Sequence, residues 1–342
     1  MDSAKKHLFT ELYVNVISKN SMCAGCGSCV LICPYNRLEL VHGIPKQISG
    51  DPAICSVSEE GKCGLCAQVC PRFYRDLQSL DFIKIAAGRS TDADFQEHGQ
   101  DSGLVSSIAA WGLKTGLWKR VLAYSRDSQW RVLPVIASDR GGVLKAAGSK
   151  YTYVSLVEGL QEAYKQGKEA GPCAVVGLPC HIAGIRKLQQ INSKYVRDIA
   201  LCIGLFCTKA FTYDGLVRKK LVEEMNLSIE NVAKMDIRKG KFTVELKGGD
   251  LHEIPIKELG AYSHKGCALC TDFEAEQADI SIGGLGIGGW AIAQLRSKTG
   301  VEIFEKAGKD KAIETAKAEA FPKALEVMNK LSNFKRKNAE KQ

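Results

Sequence analysis

The order of apolar and polar positions changes along the 342 residues of this chain. From about residue 84, short apolar runs alternate with stretches of helical spacing, which predicts an α/β core. Strands are predicted at residues 83–87, 120–124, 132–136, 173–177 and 200–206. Helices are predicted at residues 103–116, 154–165, 179–190 and 213–225. The second is predicted to be amphipathic, with Leu156, Leu160 and Tyr164 on one face.

Two later segments have other patterns. Residues 235–285 are rich in β-forming residues, and the runs 242–246 and 251–256, joined by a loop of about four residues, predict a hairpin. The tail from Gly300 has helical spacing with a break at Pro322. It ends in the basic stretch 334–337, which we expect to be solvated and frayed, or to dock on an acidic partner surface.

The N-terminal 76 residues have few large apolar positions and eight cysteines. Cys23-x2-Cys26-x2-Cys29-x3-Cys33-Pro34 is the spacing of a bacterial-type ferredoxin. A looser copy follows, Cys55-x7-Cys63-x2-Cys66-x3-Cys70-Pro71. The fourth cysteine of each run usually ligates the other cluster. The expected ligand sets are therefore Cys23, Cys26, Cys29 and Cys70 for one [4Fe–4S] cluster, and Cys55, Cys63, Cys66 and Cys33 for the other.

Zinc and disulfides are the alternatives for this module. Zinc explains one C-x2-C pair but not two C-x3-C-P endings. Two clusters would also supply the core that the module lacks. The pattern therefore favours iron–sulfur clusters and one-electron chemistry.

Six cysteines remain, in the second part of the chain. Cys267-x2-Cys270 has ligand spacing, and Cys180 and Cys207 each follow a predicted strand, whose end can present a ligand. From the pattern alone these four either hold a third cluster or pack in the interior beside a redox C-x2-C pair. Cysteines inside strands are commonly small buried hydrophobes. That interpretation applies to Cys173 and Cys202.

Composition narrows the function classes. The chain has 47 Lys and Arg against 38 Asp and Glu, a net charge of +9 that is too diffuse to indicate nucleic acid binding. The longest apolar run, residues 199–207, is far shorter than the roughly 20 residues of a membrane helix. Fourteen cysteines without a visible secretory signal indicate metal ligands in a reducing compartment. We therefore expect a cytoplasmic protein, with peripheral association with a membrane complex as an option.

Seven segments of the second part have a distinctive combined pattern: residues 101–106, 146–152, 177–180, 203–207, 236–242, 267–273 and 279–283. In this order they resemble the beta subunits of coenzyme F420-reducing hydrogenase. That family includes the beta subunit of deazaflavin-dependent formate dehydrogenase and the input subunit of the membrane F420H2 dehydrogenase. The resemblance runs from about residue 84 to 306. The cysteine module is similar to that of the F420H2 dehydrogenase input subunit.

This resemblance implies an α+β or α/β protein in three parts. Residues 1–76 would be a two-cluster ferredoxin domain, residues 77–306 a domain that binds FAD, coenzyme F420 and a [4Fe–4S] cluster, and residues 307–342 a helical tail. The third cluster would take Cys180, Cys207, Cys267 and Cys270 as ligands. F420 exchanges a hydride and a cluster exchanges single electrons, so a flavin between them is required.

The resemblance also implies partners. Electrons would pass through three [4Fe–4S] clusters to or from other, iron–sulfur-containing subunits. Candidate complexes are a hydrogenase, a formate or formylmethanofuran dehydrogenase, a heterodisulfide reductase or a membrane F420H2 dehydrogenase. Two other functions stay open: an electron-transfer subunit without its own substrate, and a reductase of the same family that acts on a tetrapyrrole.

Candidate contacts to FAD and F420 lie in turns and basic stretches. Ser102 and Gly103 begin a predicted helix, whose backbone N–H groups suit a pyrophosphate. Basic side chains suit phosphate or the anionic tail of F420. The full set is Ser102, Gly103, Gly148, Ser149, Lys150, Tyr151, Arg238, Lys239, Lys241, Ser281 and Gly283. Surface charges and turn glycines are the competing interpretation, and no catalytic residue is assigned, because hydride transfer between flavins needs no general base.

Three further features have alternative interpretations. Gly284, Gly286 and Gly289 match G-x-G-x-x-G after a strand, with Glu302 as a loose acidic partner, which would indicate a Rossmann nicotinamide site. Members of the resembled family tend to have Pro-Asp-Gly-Trp where this chain has Ile-Gly-Gly-Trp, ending at residue 290. We expect His181 and His264 to make local hydrogen bonds rather than act as acid–base catalysts.

Overall fold

The computed structural model describes residues 9–19, 21–48 and 63–341. Its strands are β1 Leu38–Val41, β2 Ile44–Gln47, β3 Lys84–Ser90, β4 Arg120–Arg126, β5 Val132–Ala137, β6 Cys173–Gly177, β7 Ile199–Leu205, β8 Val232–Arg238, β9 Lys241–Leu246, β10 Leu251–Pro255, β11 Ile280–Gly283, β12 Ala291–Leu295 and β13 Ile313–Lys317. Its α-helices are α1 Phe9–Leu12, α2 Ser28–Leu31, α3 Leu65–Gln68, α4 Ala93–His98, α5 Leu104–Thr115, α6 Arg140–Lys145, α7 Val157–Lys165, α8 Pro179–Gln190, α9 Lys298–Lys309 and α10 Pro322–Glu340.

Short π-helical and 3-10 helical segments lie between these strands and α-helices. π-Helical segments span Tyr13–Ser18 and Asp214–Glu224. Single turns of 3-10 helix occur at Lys168–Ala170, Lys194–Val196, Ile229–Asn231, Lys265–Cys267 and Ala318–Ala320, and a longer one at Ile256–Tyr262.

An eight-stranded sheet forms the centre of the fold, in the order β13-β3-β12-β11-β7-β6-β4-β5. Its four middle strands β11, β7, β6 and β4 are mutually parallel. Antiparallel pairing adds β5 on one side and β12, β3 and β13 on the other. The predicted α/β core is therefore confirmed, because parallel strands joined by helices are its defining feature.

The strongest local signals produced the expected elements. α5 begins after Gly103 (φ 64°) and ends at Gly116 (φ 76°), two left-handed positions that glycine adopts without a Cβ clash. The predicted strands at 173–177 and 200–206 appear as β6 and β7. The predicted hairpin appears as β9 and β10, which pair antiparallel and continue into β8 as a separate three-stranded sheet.

Two helices form where the sequence predicts them and differ from the prediction in detail. The helix predicted at residues 213–225 spans Asp214–Glu224 and has the wider turns of a π-helix. Helix α7 begins at Val157 rather than 154, and Tyr164 is 44% exposed whereas Leu160 is buried. Its ring stacks edge-on against Tyr195, with centroids 5.0 Å apart. An aromatic neighbour on the surface thus replaces burial in the core.

The expectation of a helical tail broken only at Pro322 was also wrong. Residues Ile313–Lys317 form β13, which pairs with β3 at the edge of the large sheet. The segment has helix-forming residues, but the open edge of β3 offers backbone hydrogen bonds that no local propensity reveals. Helix α9 and strand β13 therefore belong to the central fold, and α10 follows the last sheet strand in the chain.

The N-terminal module shares its apolar core with the sheet domain. Leu12, Val16 and Leu31 lie in one continuous buried cluster with Ile182 and Ile185 of α8. This packing supplies apolar contacts that the module cannot provide alone. In the part of the chain that the structure describes, no helix is both long and apolar enough to cross a membrane.

Candidate cysteine clusters and flavin site

Four cysteines meet at one edge of the large sheet. Cys180 is the second residue of α8, directly after β6, and Cys207 follows β7. Adjacent parallel strands end at the same edge, where ligand sites of open α/β sheets form. The Cys207 N–H donates to Phe273 O at 2.9 Å, which ties the loop of Cys270 to this edge.

The pKa shifts of these thiols reflect their proximity. Burial raises the pKa of Cys180 well above its ordinary value, and Cys207, Cys270 and Cys267 raise it further. Burial likewise raises the pKa of Cys207 to about 12. Buried thiols that resist ionisation singly become stable thiolates when a metal takes the place of their protons.

Two cations flank this four-cysteine set. The Arg72 guanidinium donates a hydrogen bond to Leu269 O at 3.1 Å. Burial lowers the pKa of Arg72, but Cys270, Cys180 and Cys267 together raise it by more, so the net pKa is above the ordinary value. Lys335 of α10 donates to Cys207 O at 2.5 Å and to Asp272 O at 2.7 Å. Burial opposes ionisation of Cys270, but Arg72 and then Lys335 bring its pKa below the ordinary value.

The expectation of a solvated basic stretch at residues 334–337 was therefore wrong for Lys335. Lys335 is only 7% exposed, because α10 lays it over the Cys207 loop. Arg336 pairs with Glu276 at 2.6 Å. Phe334, 61% exposed, does face solvent. Every fourth residue of a helix returns to the same face, so one face of this basic segment is buried.

The first predicted ferredoxin set also comes together. A cavity is lined by Cys23, Cys26, Cys29 and Cys70, with Arg72 at its border. Burial raises the pKa of Cys23 to about 12 and that of Cys70 to about 11. Left-handed glycines at 25 (φ 69°) and 27 (φ 84°) shape the loop that carries the first three cysteines.

The second ferredoxin set is described only in part. Cys66 lies on α3, close to Cys29. The pKa of Cys29 is raised mainly by burial, next by the three other thiols of the first set, and then by Cys66. Cys33 accepts a hydrogen bond from the Arg37 N–H at 3.4 Å. Cys63 is half-buried before α3. Cys55 lies outside the described residues, so its place beside these three stays a prediction.

The donor sets fit iron–sulfur cubanes. All thirteen cysteines among the described residues are free thiols. Within the same residues, no three His, Cys, Asp or Glu side chains converge tightly enough to hold a single metal ion. A cubane takes one thiolate on each iron, so its four ligands stand further apart than those of one ion. Four buried or half-buried cysteines with adjacent cations match such a group.

Cys173 and Cys202 lie inside β6 and β7 and are buried in the core, as predicted. His181 makes local hydrogen bonds, also as predicted. Its Nδ1 accepts from the Leu178 N–H at 3.4 Å and its Nε2 donates to Val154 O at 2.8 Å. Burial lowers the pKa of His181 to about 4, so it is neutral.

His264 does not match its expectation. Neither of its ring nitrogens has a hydrogen-bond partner among the described residues, although the side chain is 4% exposed. Its ring stacks on Tyr153, with centroids 4.7 Å apart. The Tyr153 hydroxyl is buried too, and it has no hydrogen-bond partner in the described part of the chain. Burial, then Cys180, Cys26 and Cys23, raise its pKa well above the ordinary value. This pair therefore lies between the two cysteine sets, and no spacing signal in the sequence indicated it.

Several predicted flavin contacts gather at the same edge of the sheet, around two carboxylates. Asp236 of β8 accepts a hydrogen bond from Gln100 Nε2 at 2.7 Å and from the Tyr151 hydroxyl at 3.4 Å. Burial and then Asp236 raise the pKa of Asp101. A Cβ on Gly284 would lie 1.7 Å from Asp101 Oδ2, so the loop after β11 touches the loop before α5. The sequence motifs included Asp101 and Asp236 but did not mark them as site residues.

Lys150 and its neighbours border this group. The Lys150 ammonium donates to Ala146 O, Ala147 O and Gly148 O at 2.5, 2.9 and 2.9 Å. Burial and Arg126 lower the pKa of Lys150 to about 7. Three neutral carbonyl groups replace only part of the lost hydration, so burial still favours the neutral amine.

The other predicted flavin contacts are more dispersed. The Ser102 hydroxyl accepts from the Leu104 N–H at 3.3 Å, and Arg238 pairs with Asp236. Lys239 is exposed, and Lys241 pairs with Glu253.

Ser281 and Gly283 lie in the interior on β11. The Ser281 hydroxyl donates to Ala275 O at 3.0 Å and accepts from Arg296 at 3.1 Å. A Cβ on Gly283 would lie 2.1 Å from the Phe206 ring. Both residues therefore already have close protein partners.

The Rossmann alternative for Gly284, Gly286 and Gly289 was wrong. That motif requires a helix after the glycine loop, whereas here β12 follows and pairs antiparallel with β11. The loop therefore connects two neighbouring strands and has no helix N-terminus for a pyrophosphate.

Family models match most of the chain. Residues 85–161 match the model described as coenzyme F420 hydrogenase/dehydrogenase, beta subunit N-terminus. Residues 172–320 match the corresponding C-terminal model. The chain belongs to this coenzyme F420 hydrogenase/dehydrogenase beta-subunit family, as the resemblance in its motifs predicted.

Individual relatives agree with this assignment. The coenzyme F420 hydrogenase beta subunit of Methanothermobacter thermautotrophicus is 35% identical, over 76% of this chain and 93% of its own. An F420H2 dehydrogenase subunit of Methanosarcina mazei is 29% identical, over 95% and 92%. A chain of the F420-reducing [NiFe] hydrogenase complex of Methanosarcina barkeri superposes with a TM-score of 0.72 at 30% identity, covering 77% of this chain and 91% of that one.

Proposed function

We propose that this chain is a coenzyme F420 oxidoreductase subunit that binds FAD and three [4Fe–4S] clusters and exchanges electrons with a partner enzyme. The named relatives are subunits of an F420 hydrogenase and an F420H2 dehydrogenase, together with an F420-dependent sulfite reductase of Methanocaldococcus jannaschii. Bound FAD would supply the conversion between hydride and single-electron chemistry.

One observation supports the proposal above others: a single extended segment reaches both sites. The Tyr151 hydroxyl bonds Asp236 in the candidate flavin site. Two residues later, Tyr153 lies against Gly25 in the loop of the first cysteine set, and its ring centroid is 6.0 Å from that of His181, which follows Cys180. Phe211 holds the segment in place through backbone bonds of 2.8 Å to both tyrosines. Flavin and cluster would therefore sit close together, as stepwise electron exchange requires.

The residues of the candidate flavin site would bind and orient rather than react. The helix N-terminus after Ser102 and Gly103 would present N–H groups to the pyrophosphate. The ring of Tyr151 would offer an aromatic face to the flavin. The exposed side chains of Arg238 and Lys239 would attract the anionic tail of F420. The half-buried Asp101 carboxyl, whose pKa is raised by burial and then by Asp236, would border the bound flavin.

The test uses the whole protein, purified without oxygen. FAD and iron are quantified, and F420H2 is then added while the flavin absorbance is recorded. Bleaching of the flavin, followed by reduction of the iron–sulfur absorbance, is the expected result. Bound flavin that F420H2 leaves unchanged would favour a tetrapyrrole or another substrate, and three clusters without flavin would favour a plain electron-transfer subunit.

A separate experiment tests for partner subunits. Anoxic co-purification from the native source should recover further iron–sulfur subunits of an oxidoreductase complex. Recovery of the chain alone at its own molecular mass would contradict the proposed assembly.

A further inference from the structure

The C-terminal helix α10 carries a lysine into the interior of the protein. Lys335 is 7% exposed, and its ammonium donates to the carbonyl oxygens of Cys207 and Asp272 at 2.5 and 2.7 Å. A buried lysine costs stability unless a negative charge compensates it. Asp272 is adjacent in space, but Lys335 contacts it through its backbone carbonyl oxygen, which carries no net charge. The four-cysteine set offers the larger negative charge.

Arg72 approaches the same four cysteines from the N-terminal module. It follows Cys70 and Pro71 and donates across the module boundary to Leu269 O at 3.1 Å. Leu269 directly precedes Cys270, so this bond brings the guanidinium next to a residue of the four-cysteine set. Unlike Lys335, Arg72 also lines the cavity that is formed by the first ferredoxin set, Cys23, Cys26, Cys29 and Cys70.

Charge near a cluster acts on its reduction potential. A [4Fe–4S] cluster with four thiolates becomes more negative on reduction, so a nearby cation stabilises the reduced form and raises the potential. The effect is strongest where water is excluded, because the local dielectric constant is low.

We propose that Lys335 is a tuning residue that selectively raises the reduction potential of the cluster held by Cys180, Cys207, Cys267 and Cys270, and that Arg72 raises the potentials of this cluster and the Cys23 cluster together. This inference rests on the proposed function, since it needs the clusters in place. Helix α10 then serves electron transfer through a residue far from any cysteine in the sequence.

The test is an EPR-monitored redox titration of the full-length holoprotein. Lys335→Met removes the charge and the hydrogen bonds, whereas Lys335→Gln keeps an N–H donor and removes only the charge. Both should lower one midpoint potential of the three and leave the others unchanged. A tenfold change in one-electron equilibrium corresponds to about 59 mV, and at least that shift is expected. The exposed Lys337 of the same helix provides the control variant Lys337→Met, which should shift no midpoint.

Arg72→Gln supplies an independent measurement and should lower two midpoints. Unchanged midpoints in Lys335→Gln and Arg72→Gln would overturn the inference, and so would equal shifts of all three midpoints in Lys335→Gln. Failure of the proposed function is distinguishable, because the unmodified protein would then lack the third EPR signal and the corresponding iron. If Lys335→Met does not fold, the Gln variants still decide the question.

Discussion

Gly184 of α8 lies directly against Cys26 of the N-terminal module. A Cβ on Gly184 would be 3.3 Å from Cys26 Sγ and 2.5 Å from Ser28 Oγ. The same helix carries Cys180 at its N-terminus, one turn earlier. Four residues of α-helix rise about 6 Å, so a single rigid turn sets the spacing between the two cysteine sets.

This contact predicts the effect of Gly184→Ala. Alanine normally stabilises a helix by up to about 1 kcal/mol over glycine. Here the added methyl group would displace the cysteine loop, and we expect the free energy of unfolding to fall by about 1–3 kcal/mol. Urea unfolding measures the change. Gly260, which has open space around it, provides the control Gly260→Ala, expected to be nearly neutral. Stabilisation by Gly184→Ala would contradict the close packing.

The third cluster is tested by Cys207→Ala. Loss of this ligand should remove about one third of the bound iron, because three cubanes hold equal amounts. Iron analysis together with EPR measures the loss. The matched control is Cys202→Ala, which removes a fully buried thiol of β7 and should retain all the iron. Equal iron in both variants would refute the assignment of Cys207 as a ligand.

The candidate flavin site is tested by Gly284→Ala. Its methyl group would lie 1.7 Å from Asp101 Oδ2, so the loop before α5 must move. We expect the purified variant to lose most of its FAD and to keep its iron, measured by absorbance after acid release and by iron analysis. Gly248, which has open space around it, supplies the control Gly248→Ala, expected to keep both. Full FAD retention in Gly284→Ala would place the flavin elsewhere.

Lys150 predicts a pH dependence of stability. Its folded-state pKa is lowered to about 7, whereas a lysine in the unfolded chain titrates near 10.4. Between these values the unfolded chain binds more protons, so the free energy of unfolding rises with pH, by at most about 1.4 kcal/mol per pH unit. Below about pH 7 this contribution is constant and unfavourable.

Urea unfolding between pH 7 and 9.5 measures this effect. Lys150→Met should flatten the rise, and Lys145→Met, which removes an exposed lysine of α6, should not. Parallel curves for the native chain and Lys150→Met would show that the three carbonyl acceptors keep Lys150 fully protonated.

Local patterns in the sequence were sufficient for much of the fold. Cys173–Gly177 formed β6 because a short apolar run between turn residues suits a buried parallel strand. Helix α5 is bounded by Gly103 and Gly116, as predicted, because the left-handed backbone conformation of these two glycines is a local property. The strand β13 was missed, since its existence depends on the free edge of β3, more than 200 residues away.

The sequence by itself determined the cysteine spacing, the α/β order of elements and the family motifs, because each depends on residues close together in the chain. Only the tertiary structure decided that Lys335 and Arg72 meet the same four cysteines, that Gly184 packs on Cys26, and that Asp101 and Asp236 share one site. These contacts join segments that are remote in sequence. Packing geometry and exclusion of water produce them, and neither leaves a periodic signal in the chain.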